Sequence, residues 1–310
     1  MTAIESAFVD YAEHRSILVN GVDYCYLEAG SGPMVLLVHG YPDNAYSWEH
    51  QIRFLSQAGY RVIAPFTRGY EPTKTPRGSF FDRATLATDM AGLIDQLNGG
   101  KPAYYIGQDW GAAIGYGVLG AFPDSVTRAM MLAIPHPGEI NRRLRRSPKH
   151  ALRSFHWFLF QLPWLPGHLI RFRRGAFLRF LWRLWSPDFN DHQHVDQVIA
   201  GMLKGRCIED TLGYYRAALQ ESCRDPATAA TFARLDDPVT VPTKVLCGAD
   251  DMRREMLAPA AEFFSSAANY QWELVDNAGH FLHREQADLV NQKILSWIQT
   301  ENTGAALDAG

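Results

Sequence analysis

The chain has 310 residues, of which 47% are apolar and 20% charged, with a formal net charge of −3. That is one large domain or two modest ones with ample core, and the composition excludes wholesale disorder and fibrous repeats. The charge balance carries no global footprint for nucleic acid, so none is expected as a partner.

Taken in chain order, residues 1–15 hold Glu5, Asp10 and Glu13 without an apolar core, which is not the pattern of a secretory leader. Short runs rich in Val, Ile and Leu then predict strands at 16–19, 24–28, 34–39, 61–65, 103–107, 127–134, 244–247 and 270–275. Asn20-Gly21 predicts a hairpin between the first two. Several runs are continuous rather than alternating, which suits strands buried on both faces of a parallel sheet. Helical spacing falls between them, at 44–58, 82–97, 110–122 and 284–299. The alternation stops after Ile134 and resumes at Lys244. The intervening text is helical or irregular and too long for a loop, which predicts an inserted helical domain. The expected organisation is a core over 1–137, the insertion over 138–237, the rest of the core over 238–302 and a flexible tail over 303–310. No apolar run is long enough to span a bilayer, so no stable membrane insertion is expected. Four scattered cysteines suit reduced thiols and a cytoplasmic location.

The insertion has its own charge. From Glu139 to Asp188 no acidic residue intervenes, while arginines such as Arg142, Arg145, Arg173, Arg179 and Arg183 alternate with Trp157, Phe158, Trp164, Phe172, Phe177, Trp182 and Trp185. Such a stretch can lie on a membrane surface, but the plainer expectation is a solvated basic face over an aromatic core.

The strongest chemical signal is Gly107-Gln108-Asp109-Trp110-Gly111, between an apolar strand and an Ala/Gly-rich helix. This is the strand–turn–helix elbow that thrusts a nucleophile out at the end of a sheet, with aspartate where many hydrolases have serine. A carboxylate is ionised at neutral pH and needs no activation. It suits displacement at an alkyl carbon, giving an ester that water must then cleave. The expected base is His280, on the loop after the last strand. The acid that orients it belongs on the loop after the preceding strand, where Gly248-Ala249-Asp250-Asp251 selects Asp251 with Asp250 in reserve. The amides of Trp110 and Tyr41 are the expected oxyanion donors. His39 reads as a brace for its loop, and His283 ranks below His280. Asp191-His192-Gln193-His194 reads as a solvated loop rather than a metal site, and neither a metal nor an organic cofactor is expected.

These motifs, with Arg68-Gly69-Tyr70, Pro135-His136-Pro137, Phe160-Gln161-Leu162-Pro163 and Gly279-His280-Phe281, resemble the α/β-hydrolase superfamily, in its branch of epoxide hydrolases and dehalogenases. The resemblance covers nearly the whole chain. It implies an α/β fold, a mostly parallel sheet flanked by helices, with a helical cap inserted after the sixth strand. It also implies two cap donors for an opening epoxide. Tyr215, in Tyr214-Tyr215-Arg216, matches one; the usual second tyrosine is replaced by His156. The expected activity is epoxide opening to a diol through an ester on Asp109, with a small apolar or aromatic substrate, by a monomer or homodimer. The alternative is a dehalogenase with a halide pocket of His156, Trp157 and Tyr215. Against fluoroacetate, Trp110 and Ala113 occupy the places of the arginines that clamp its carboxylate. A serine esterase is disfavoured by the aspartate, and a non-catalytic binder by the retention of Asp109, Asp251 and His280.

Overall fold

The computed structural model describes residues 9–147, 150, 152 and 154–300. The expected tail over 303–310 lies outside them. Eight strands form one sheet: β1 (Glu13–Val19), β2 (Val22–Ala29), β3 (Met34–Val38), β4 (Arg61–Pro65), β5 (Ala103–Gln108), β6 (Val126–Leu132), β7 (Thr243–Gly248) and β8 (Tyr270–Val275). Their order is β1-β2-β4-β3-β5-β6-β7-β8. β1 and β2 run antiparallel, as do β2 and β4, and every other pair is parallel. All five residues of β3 are buried, as its uninterrupted apolar run requires at the centre of a covered sheet. Asn20 and Gly21 both take positive φ, 48° and 76°, which is the backbone of a tight hairpin turn.

Helices α1 (Glu49–Gln57), α2 (Arg83–Asn98) and α3 (Trp110–Ala121) connect the parallel strands. From β3 the chain steps to β4 on one side, and from β4 and β5 it steps the other way, to β5 and β6. Right-handed crossovers therefore set α1 on one face and α2 and α3 on the other. The reversal opens a crevice at the carboxyl ends of β3 and β5, the place where such sheets bind ligands. The loops carrying Tyr41 and Asp109 end at that crevice.

Two expected helices are divided. The first begins as a one-turn 3-10 helix, Ala45–Trp48, because the Asn44 side chain accepts from Tyr46 N–H before α1 starts. The last is two pieces, Leu282–Glu285 and Ala287–Gln299, parted by Gln286 at φ −128°, ψ 52°.

Between β6 and β7 the described residues form helices and turns and no strand. These are α4 (Pro137–Arg146), α5 (Phe155–Leu159), α6 (Leu165–Arg171), α7 (Ala176–Trp185), α8 (His192–Met202), α9 (Cys207–Leu219) and α10 (Ala229–Arg234). The expected solvated loop at Asp191–His194 is instead the start of α8. Asp191 accepts from His194 N–H as the N-cap, and His194 is buried with Nε2 3.1 Å from Asp43 Oδ1. The pairing joins the inserted helices to the sheet, which a search by sequence spacing misses because the partners lie 151 residues apart.

Candidate active site

Asp109 stands between β5 and α3 with φ 50° and ψ −118°, a conformation that L residues rarely adopt. Two glycines allow the close packing that enforces it. A Cβ on Gly111 would lie 1.9 Å from Val38 O, and one on Gly40 would lie 2.3 Å from Asp109 Cβ and 2.6 Å from Trp110 N. The loop after β3 therefore sits directly on the elbow.

The carboxylate is buried and fully engaged. Tyr41 N–H donates to Asp109 Oδ1 at 2.9 Å, and His280 Nε2 lies 3.1 Å from Asp109 Oδ2. On the other side of the ring, His280 Nδ1 lies 2.7 Å from Asp251 Oδ2. Burial alone would raise the Asp109 carboxyl, but His280, Arg253 and the Tyr41 amide outweigh it and hold the carboxyl below its usual range. Burial opposes the charged imidazole in the same way. Its bonds to Asp109 and Asp251 prevail, so His280 binds its proton more tightly than an ordinary histidine. Asp250 is exposed and takes no part. Trp110 opens α3, and its amide is one of the N–H groups for which a helix start has no internal acceptor. His39 is a brace, accepting from Thr67 N–H at Nε2 and facing Gly40 O at Nδ1, with burial pushing it down to about 4. His283 faces Ser47 Oγ at 2.7 Å, away from Asp109.

A cavity of about 500 Å³ opens over Asp109. Trp110, His156, Trp157, Tyr215 and Arg253 line it, with apolar wall from Ile134, Ile140 and Leu144. Trp110 and Trp157 stack at 5.6 Å, and Tyr215 stands edge-on to both, at 5.2 and 5.3 Å. The His156 ring lies 5.8 Å from that of Tyr215. Burial pushes His156 down to about 3, so it is neutral at pH 7 and keeps one ring N–H. The phenol of Tyr215 is pushed up by burial and stays protonated. Tyr41 enters the site through its amide; its ring is outside the cavity lining and packs against Phe160 and Tyr215.

The Phe-Gln-Leu-Pro and Tyr-Tyr-Arg motifs lock these rings in place. Gln161 donates to Trp157 O and Tyr215 O, both at 2.9 Å, and Arg216 donates to Phe160, Leu162 and Pro163 carbonyls. Tyr214 also borders the cavity, but its hydroxyl is engaged elsewhere. Its hydroxyl donates to Arg68 O at 2.7 Å, tying α9 to the loop after β4. That loop is anchored by a buried two-point ion pair of Arg68 with Asp89, at 2.7 and 2.9 Å.

A model of the α/β-hydrolase fold matches residues 33–287. The chain belongs to the α/β-hydrolase family. This hydrolase is 29% identical to AB hydrolase superfamily protein YfhM of Bacillus subtilis, over 94% of this chain and 100% of that protein. It is 29% identical to epoxide hydrolase A of Mycobacterium tuberculosis, over 92% of this chain and 96% of that one. The crystal structure of epoxide hydrolase VrEH1 from Vigna radiata superposes with a TM-score of 0.75 at 26% identity, covering 94% of this chain and 99% of that one.

The structure adds residues to the site that the sequence did not reveal. Arg253 N–H donates to Asp251 Oδ1 at 2.7 Å, and this turn folds the guanidinium back into the cavity beside His280. His280 N–H is held by Trp185 O at 3.0 Å and by Ser186 Oγ at 2.9 Å, at the end of α7. Ser186 in turn donates to Glu285, which also accepts from Gly279 and Phe281 N–H. The hydrolase thus fixes its histidine loop from the inserted helices. An Asp two residues before Arg253 was the one local signal, since such a side chain readily closes a turn on a following N–H. Among the described residues, no group of three or more His, Cys, Asp or Glu is placed to hold a metal ion.

Proposed function

We propose that the hydrolase opens an epoxide to a diol through a covalent ester on Asp109. The observation that carries this reading is a buried carboxylate nucleophile, with His280 at 3.1 Å and Asp251 behind it at 2.7 Å, beneath a cavity holding two neutral donors, Tyr215 and His156. Asp109 attacks a ring carbon, that C–O bond breaks, and the electron pair passes to the ring oxygen. Tyr215 and His156 both hold this oxygen by hydrogen bonds, and it takes a proton from one of them.

The first step changes the electrostatics of the second. Before attack, His280 lies between two carboxylates that favour its charged form. Esterification removes the charge of Asp109, so the imidazole releases its Nε2 proton, which restores the donor that protonated the ring oxygen, and becomes a base, its Nδ1–H still directed at Asp251. It takes a proton from water, which attacks the ester carbonyl. The Tyr41 and Trp110 amides receive the oxyanion, and collapse returns the Asp109 carboxylate and frees the diol. Residues 138–237 act as the cap that supplies the donors. The epoxide hydrolase relatives support the substrate class, and the aromatic walls favour an apolar or aromatic one. Four cysteines without disulfides suit a reducing, cytoplasmic setting. The active unit is a monomer or homodimer.

Dehalogenation through the same nucleophile is the second reading, favoured by the paired indoles of Trp110 and Trp157 in the cavity, a setting in which indole N–H groups meet a halide. The intact mass of His280→Gln separates the two. The variant lacks the base and should accumulate the ester. A whole-epoxide adduct on Asp109 after styrene oxide supports ring opening. An adduct from a bromoalkane alone supports the dehalogenase, and no adduct from either overturns both for these substrates.

A further inference from the structure

The apolar residues that this protein leaves in solvent are concentrated in one part of the chain. Among the described residues, more than half of the exposed large apolar side chains lie in the short stretch from Leu152 to Leu184. Trp164 is 67% exposed, Phe172 61% and Phe158 53%. The expected aromatic core under a basic face is therefore only half present: Trp182 and Trp185 are buried, and these three face out.

Helix α7 shows the arrangement. Leu178, Leu181, Trp182 and Trp185 face the interior, while Phe180 and Leu184 stand on the outer side with Arg183. A helix apolar on both sides is expected to meet a second apolar medium. Arg183 has no ion pair among the described residues, and Arg173 lies over the Phe172 ring at 5.5 Å. Some neighbouring arginines are neutralised, Arg171 by Glu209 and Arg179 by Asp196, but both acids lie outside the segment. Arg145, Arg146, Arg173, Arg174 and Arg183 carry no ion pair among the described residues, so the segment itself is cationic on a chain whose net charge is −3, although Asp250 and Glu255 border Phe180 and Leu184.

We propose that this outer face adsorbs reversibly to an anionic lipid bilayer. Aromatic rings that enter the headgroup region, interleaved with arginines that meet lipid phosphates, are the two chemistries of an interfacial surface. A second copy of the chain is a poorer occupant. A two-fold interface sets each patch against itself and brings arginine against arginine. A spanning mode is not available to the described residues, where no helix is long and apolar enough. The patch also borders the active site, since Phe158 belongs to both the exposed set and the cavity lining. An adsorbed molecule would hold its cavity mouth at the lipid, where apolar substrates concentrate. That consequence, unlike adsorption itself, rests on the epoxide reading.

The test is flotation of the full chain with vesicles of phosphatidylcholine alone and of phosphatidylcholine with phosphatidylglycerol. Recovery with the anionic vesicles, and release by added salt, is expected. Trp164→Ala/Phe172→Ala and Arg173→Glu/Arg183→Glu should each reduce that recovery roughly tenfold or more, with unchanged thermal unfolding. Absence of binding to anionic vesicles, or binding that neither double variant weakens, overturns the proposal. Two other results overturn it in favour of another occupant: sedimentation of a dimer that the double variants dissociate, or retention on polyglutamate beads but not on vesicles. None of these readouts uses turnover, so they stand apart from the fate of the epoxide reading.

Discussion

Arg253 Nη1 lies 3.2 Å from His280 Nδ1 and 3.5 Å from Asp251 Oδ1, so the nitrogen that faces the orienting acid also faces a permanent positive charge. Asp109 and Asp251 favour a protonated ring and Arg253 opposes it. The other charged or titratable groups at hand are Glu285, bonded to the backbone of the histidine loop, and His156 and His283, both neutral at pH 7. Arg253 thus opposes the proton that the two carboxylates favour on His280.

Arg253→Met should therefore raise the proton affinity of His280. Ester hydrolysis needs the neutral ring, so its acid limb should move to higher pH, with a rate near that of the parent on the alkaline plateau. Stopped-flow rates of the hydrolytic step across pH check this. An equal loss at every pH would mean that Arg253 serves only packing.

Tyr215→Phe should slow alkylation of Asp109 by about 10²–10³, the usual effect of losing one donor to a developing oxyanion. His156→Phe should slow the same step, and neither should slow hydrolysis of an ester already formed. Single-turnover kinetics that resolve the two steps provide the measurement.

Tyr214→Phe removes the bond that ties α9 to Arg68 O and leaves a buried carbonyl without this donor. The expected loss is about 1–3 kcal/mol, read as a lower urea midpoint at unchanged slope. An unaffected midpoint would mean that the Tyr214 ring alone holds the helix.

Acid should destabilise the fold well before the carboxylates titrate. Burial pushes His39 down to about 4, and His136, His156 and His283 to about 3. In the unfolded chain these histidines take up protons near their ordinary value of about 6.5. Between that pH and the folded values the unfolded state binds more protons, so stability falls as pH falls. His280, whose affinity is raised, acts in the opposite sense but is one group against four. Asp43, held down at about 2, extends the loss to lower pH. Tm measured from pH 7 to pH 4 should decline throughout, and a flat profile would refute the account.

The sheet was legible because its central strands are continuous apolar runs and its elbow needs small residues at fixed places. Both are local properties. Asp109, His280 and Asp251 were legible for the same reason, each at the end of a readable strand. What was hidden depends on partners distant in sequence. Nothing near His194 points to Asp43, and nothing near Ser186 points to the His280 amide. Trp164 and Trp182 look alike in a list of aromatics; only packing puts one in solvent and the other in the core.

β6 and β7 are neighbours in the sheet, yet all of the inserted helices lie between them in the chain. Closing a loop of that size before it folds costs roughly 4 kcal/mol of chain entropy, so helices that fold early make the pairing easier. The same order divides the residues of the site. A growing chain carries Asp109 first and acquires Asp251 and His280 only with its final strands. The three groups meet only when β8 has joined the sheet, which makes the site the last part of the fold to be assembled.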